Sequence, residues 1–242
     1  MSEGEGVKKP RYRALDALRG VSVTLMIIHH LALDFVMFGI FPGVLLDNPI
    51  VFVAQLIFSS CFVALSGASS RFSRSNLARG LKICACAALI SVSTYFAGVL
   101  FEMENVFISF GILHFLGIAS LIYHLTHKFI DKLKVPGWAW LVMFCATRLF
   151  FPMTVGAKWL FPIGLMYPGF RSADYYPILP WIFMYFFGAW LADKIREGKL
   201  PKGFYDFKLP LFEWISKRSL IIYLLHQPVF LALFYLYFNF IA

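Results

Sequence analysis

Long apolar runs separated by short polar, mostly basic segments set the pattern of this chain. Runs at about 15–38, 50–68, 81–101, 107–125, 137–151, 178–192 and 220–240 approach the ~20 apolar residues that an α-helix needs to cross hydrocarbon. They are continuous rather than alternating, which argues against a transmembrane β-barrel. The pattern predicts an all-α, polytopic membrane helical bundle of about seven spans. A shorter stretch at 155–166 is interrupted by Gly156, Pro162 and Gly164 and is expected to be a half-helix at or dipping into the interface. Residues 1–10 are polar and Gly-rich and read as a disordered cytoplasmic tail rather than a cleaved signal peptide. Residues 11–242 then form a single transmembrane domain. No internal repeat is visible.

Composition agrees with this pattern, and charge orients it. The 242 residues are 60% hydrophobic and 14% charged, with 28 Phe, far less charge than a soluble domain carries. The net charge of +9 does not point to nucleic acid, because its distribution follows the membrane. With the N-terminus in the cytoplasm, all 22 basic residues except Arg148, Lys158 and Arg171 fall on cytoplasmic segments, as the positive-inside rule requires. The acids Asp47, Glu102, Glu104 and Asp174 fall outside, and so does the C-terminus. The lipid bilayer is thus the first partner.

Against this apolar background the polar residues inside the runs stand out, since ionisable groups in hydrocarbon are costly and face a protein interior or a cavity. Asp16, Arg19, His30 and Asp34 share one stripe of the first run, and His29 points away from it. His30 lies about 16 Å beyond Arg19, near the middle of a core about 30 Å thick. Asp34, one turn on, is placed to orient the imidazole for general-base chemistry; a structural polar pair is the alternative. Ser219, Tyr223 and His226 share a face of the last run. Gly111, His114 and Gly117 share a face of the fourth, where packing and catalysis are equally well served.

Two further segments could hold ligands. The second run ends in Ser66, Ser69, Arg71 and Arg74, with Arg79 and Lys82 following, a set that suits phosphate oxygens; the same residues also describe an ordinary positive-inside loop. Asp174-Tyr-Tyr-Pro-Ile-Leu-Pro-Trp181 combines an acid with belt aromatics, and the acid could bind a hydroxyl or amine arriving from outside. Cys61, Cys84, Cys86 and Cys145 read as free thiols buried in apolar surroundings. Cys84 and Cys86 diverge by about 200° on a helix, so no metal pair is expected.

These segments together resemble a family. Leu15-Asp-Ala-Leu-Arg-Gly20 with His30, and Ser219 to Pro228, look like the opening and closing signatures of membrane-embedded acyltransferases. Phe62-Val-Ala-Leu-Ser-Gly67, Phe110-Gly-Ile-Leu-His114 and the 174–181 segment look like the bacterial branch related to the catalytic domain of heparan-α-glucosaminide N-acetyltransferase. The resemblance implies an acetyl-CoA-dependent enzyme moving an acetyl group across the bacterial inner membrane to a sugar amine or hydroxyl. The animal enzyme differs at the His30 position and carries a large luminal domain without counterpart here. A cell-envelope glycan or lipid-linked sugar is therefore the expected acceptor. His30, Asp34, His226 and His114 are the expected catalytic group. Arg19, Ser66, Ser69, Arg71 and Arg74 are expected to hold the donor, and Asp174 and Tyr223 the acceptor. A homo-oligomer stays open, and no metal or nucleic acid is expected. A proton-coupled small-solute transporter is the alternative, because buried His and Asp also build proton relays.

Overall fold

The computed structural model describes residues 12–45, 48–100 and 106–240. The expected disordered tail and the acids Asp47, Glu102 and Glu104 lie outside the described residues. The helices are α1 (Arg13–Met37), α2 (Pro49–Phe72), α3 (Asn76–Leu100), α4 (Ile112–Leu133), α5 (Gly137–Arg148), α6 (Ile178–Arg196), α7 (Lys202–Asp206), α8 (Pro210–Lys217) and α9 (Ser219–Phe240). Local chemistry explains several starts. The Asn48 side chain caps α2 by accepting the Ile50 N–H at 2.8 Å, with Pro49 in the first turn. Pro136 and Pro177 precede α5 and α6, consistent with proline's fixed φ and missing N–H.

Five helices, α1, α2, α3, α6 and α9, are long and apolar enough to cross a membrane. The other two expected spans, α4 and α5, fall outside that set. The second half of α4 carries His124, His127, Lys128, Asp131 and Lys132. The 12 residues of α5 rise only about 18 Å. The outer face of α3 leaves Leu81, Leu89, Val92, Phe96, Val99 and Leu100 exposed, a contiguous apolar surface that belongs in lipid rather than water. Cys61 and Cys145 also lie on the surface, against the expectation that all four thiols are buried.

Contacts between neighbours give the helix directions. Arg19 meets Ser69, and His29 meets Phe58, so α1 and α2 are antiparallel. The pairs Gly137/Trp190 and Phe144/Trp181 make α5 and α6 antiparallel. Ser91 on His114 and Cys84 on Gly117 do the same for α3 and α4. Arg71 bridges Asp131 and Asp193 at one end, while Ile112 meets Asp174 near the other; α2, α4 and α6 therefore point the same way. α9 runs beside α1 in the same direction, from His226 on His30 to Phe234 on Phe38. Successive long helices thus alternate in direction, and their basic ends gather at one end of the bundle.

Small residues set how closely the helices approach. A Cβ on Gly67 would overlap the Tyr185 carbonyl, and one on Gly188 the Ala64 carbonyl. The α2–α6 seam is therefore backbone against backbone from both sides. Gly117 receives Cys84 of α3, and Gly20 of α1 receives the Phe212 carbonyl of α8. Tyr123, Phe115 and Tyr185 fill the core beside the α2–α6 seam. Short α8 turns Glu213 and Ser216 inward and leaves Leu211 and Trp214 outward, an amphipathic segment suited to an interface.

The 155–166 half-helix does not form. Met153–Thr154 pairs in parallel with Leu165–Met166, around a single 3-10 turn at Phe161–Ile163. Gly156 and Gly164 hold positive φ of 84° and 116°, backbone that no helix contains. The element packs against the segment before α6, where the Tyr175 hydroxyl donates to the Phe161 carbonyl at 2.6 Å.

Candidate functional site

The polar stripe of α1 faces α9, and the two histidines meet there. His30 Nδ1 lies 2.8 Å from His226 Nε2, with the rings stacked at 5.0 Å and 13°. His226 Nδ1 lies 2.7 Å from the Tyr223 carbonyl oxygen. A carbonyl only accepts, so His226 Nδ1 carries the proton. With both rings neutral, His226 Nε2 is then an acceptor and His30 Nδ1–H donates to it. His30 Nε2 is left as a lone pair with no protein partner among the described residues. This is the logic of a base oriented by a second group, the second group here being another imidazole.

The His30 ring lines a small cavity of about 60 Å³ bounded by α1, α2, the N-terminus of α4, the 173–176 segment and α9. Asp174 lies across it. Its Oδ2 accepts the Ile112 N–H at 2.8 Å and the Tyr223 hydroxyl at 3.5 Å. The close approach to α4 depends on Gly111, whose Cβ would occupy the place of Asp174 Oδ2. A carboxylate at a helix N-terminus is stabilised by the unpaired N–H groups there. Burial nevertheless pushes the Asp174 carboxyl up to about 6, against the opposing pull of the Ile112 and Tyr223 donors. Tyr223 joins the two halves: its carbonyl locks His226 and its hydroxyl serves Asp174. Tyr176, paired with Ser59 at 2.6 Å, completes the wall. A proton acceptor therefore faces an acceptor of hydroxyl or ammonium hydrogens across one chamber.

Two expected catalytic residues take other places. Asp34 does not bond His30; its Oδ1 accepts from Gln227 Nε2 at 2.6 Å, and its Oδ2 is buried without a partner. Gln227 reaches Asp34 first because α9 runs alongside α1, which the phase of α1 alone does not reveal. His114 stays at the start of its own helix. Its Nδ1 accepts the Gly111 N–H at 3.2 Å and its Nε2 lies 3.0 Å from Ser91 Oγ. Ser91 donates to the Ile108 carbonyl, so both His114 nitrogens are committed to structure. His29, expected to point away, lines the His30 cavity and packs on Phe58.

At the basic end the expected donor residues divide. Arg19 donates to Ser69, lies 3.4 Å from both Asp16 and Ser216, and so stands at the foot of the α1 stripe. Arg74 is exposed. The Arg71 fork is filled by Asp131 and Asp193, and the Ser66 hydroxyl is taken by Arg79 at 2.7 Å. These two are thus held by protein groups rather than open to a ligand. Ser59, Tyr176 and Gln227 escaped the sequence reading as site residues. Tyr176 and Gln227 sit inside the quoted motifs, but Ser59 lies in an apolar run that carries no local signal. Among the described residues no group of three His, Cys, Asp or Glu could hold a metal ion.

A family model described as heparan-alpha-glucosaminide N-acetyltransferase, catalytic, matches residues 11–228. The chain belongs to this family. The match runs from two residues before α1 to Pro228 in α9 and so includes His30, Asp174, Tyr223 and His226. Family membership makes the chain a membrane acetyltransferase and weighs against the transporter alternative. Among curated proteins and solved structures none matches the chain.

Proposed function

We propose that the protein transfers an acetyl group from cytoplasmic acetyl-CoA to an amine or hydroxyl of a sugar on the far side of the bacterial inner membrane. In this reading the chain crosses seven times, with its N-terminus in the cytoplasm and its C-terminus outside. The charge distribution and the alternating helix directions support that count. The donor's phosphates meet Arg19, Ser69 and Arg74 at the basic end, and its arm runs along the α1 stripe toward His30. The acceptor, a cell-envelope glycan or lipid-linked sugar, enters past Asp174 and Tyr176.

The observation that carries the reading is the His30–His226–Tyr223 relay, which leaves His30 Nε2 without a protein partner among the described residues, beside a cavity that His30 and Asp174 both line. His30 Nε2 takes the proton of the acceptor N–H or O–H as that atom attacks the thioester carbonyl. The C–S bond breaks, and the leaving thiolate regains the proton from His30 as CoA–SH. Asp174 holds a second hydroxyl or an ammonium of the acceptor, which aligns the nucleophile. Inverted membrane vesicles supplied with radiolabelled acetyl-CoA test the scheme. Label should enter an envelope product with the wild-type protein, and His30→Ala should abolish transfer while the protein still folds and inserts. Turnover at the wild-type rate in that variant refutes the assignment.

A further inference from the structure

The His30 chamber is not the most spacious opening in the bundle. A cleft of about 700 Å³ opens at the basic end of the bundle, between the end of α4, the start of α5 and the end of α6. No residue lining it also lines the His30 cavity, and α1 and α9 contribute nothing to its walls. A coenzyme A nucleotide seated in the cleft would lie apart from the α1 stripe that leads to His30, so the cleft does not suit the donor.

Its chemistry is divided. The inner wall is aromatic: Trp140 packs on Phe186 at 5.1 Å, and Trp190 is pressed against Gly137 of α5. Each carboxylate at the mouth already has a cation, Arg71 for Asp131 and Asp193, and Lys194 for Glu197. Lys134 and Arg196 remain. Both are exposed, both line the cleft, and neither is held in a salt bridge among the described residues. The Arg71 Nε behind them is buried with no partner. The short α5 makes one wall of the cleft, next to the exposed Trp138, so the aromatic floor adjoins the lipid-facing surface.

A fixed apolar wall beneath two exposed cations that make no salt bridge among the described residues is complementary to an amphiphile with an anionic head. Basic pockets between membrane helices on the cytoplasmic side bind such head groups. We propose that this cleft holds an anionic membrane phospholipid, its phosphate between Lys134 and Arg196 and its acyl chain along Trp140, Phe186 and Trp190.

Native mass spectrometry of the full-length protein in detergent, with phosphatidylglycerol or phosphatidylcholine of identical chains, tests this. Phosphatidylglycerol should be retained in preference to phosphatidylcholine. A Lys134→Ala/Arg196→Ala double variant should lose about thirtyfold in phosphatidylglycerol affinity and keep its weak phosphatidylcholine binding. Both side chains are exposed, so the variant should fold; a single gel-filtration peak and an unchanged melting temperature check this. Equal retention of the two lipids by the wild type overturns the proposal in favour of a plain apolar groove. Undiminished phosphatidylglycerol binding by the double variant overturns the head-group assignment. Displacement of the lipid by stoichiometric coenzyme A overturns the lipid in favour of a soluble nucleotide. None of these outcomes bears on His30→Ala, so the two proposals stand or fall separately.

Discussion

Replacing His226 with phenylalanine keeps an aromatic ring against His30 but removes the nitrogen that accepts its Nδ1–H. In the wild type that bond is 2.8 Å long and the rings are stacked 13° from parallel, so packing changes little while the polar partner disappears. A neutral hydrogen bond contributes about 1 kcal/mol net, and an orphaned buried donor costs roughly 1–3 kcal/mol. The variant should therefore melt lower but remain folded. The larger effect is on chemistry. Without His226, the His30 ring can flip or change tautomer, and Nε2 no longer stays a lone pair facing the chamber. Positioned general-base catalysis contributes about 10²–10⁴-fold, so kcat should fall by about two orders of magnitude. KM for acetyl-CoA should change little, because the relay acts only as the proton moves. Initial rates of label transfer in inverted vesicles at varied acetyl-CoA separate the two parameters. His226→Gln, whose carbonyl can accept from His30, should recover part of the loss. A His226→Phe enzyme with the wild-type kcat would refute the relay.

Three other outcomes follow from the geometry. Asp34→Asn keeps an acceptor for Gln227 and removes a buried oxygen that has no partner; kcat should stay close to wild type, whereas a loss as deep as that of His226→Phe would restore Asp34 as the group orienting His30. The Asp174 carboxyl protonates as pH falls through about 6, so KM for the acceptor should rise below that pH, and Asp174→Asn should flatten the profile; because the folded value lies above the ordinary 3.8, the folded state holds this proton more tightly than the unfolded chain, and the Asp174 contribution to stability should fall as pH rises from about 4 to 6 and level off above. Gly67→Ala drives a methyl into the Tyr185 carbonyl; overpacking of this kind costs about 1–3 kcal/mol, to be read as a lower melting temperature in detergent, and an unchanged melting curve would show that the α2–α6 seam can open.

The legible part of the site was the part that is periodic or local. Helical phase gathered Asp16, Arg19, His30 and Asp34 on one stripe, and the structure turns that stripe toward α8 and α9. The segment at 174–181 announced itself by an acid among aromatics and prolines, and Asp174 does line the chamber. Phase also misled at two positions. It excluded His29, which reaches the same cavity because α2 closes around that side of α1. It also paired Asp34 with His30 because i, i+4 neighbours are the only partners that one helix can offer.

By itself the sequence determined that this is a helical membrane protein with one basic end, since run length, continuity and charge placement are one-dimensional properties that hydrocarbon and the membrane surface read directly. It also put a histidine on the polar stripe of the first run and carried the motifs of an acetyltransferase family. Only the tertiary structure decided which groups hold that histidine. His226 stands 196 positions from His30, and Asp174 is set against Ile112 of α4 and Tyr223 of α9. Such partners are chosen by how closely backbones approach. That depends on glycines such as Gly111 and Gly67 meeting a particular atom of another helix, a condition in three dimensions that no period along the chain encodes.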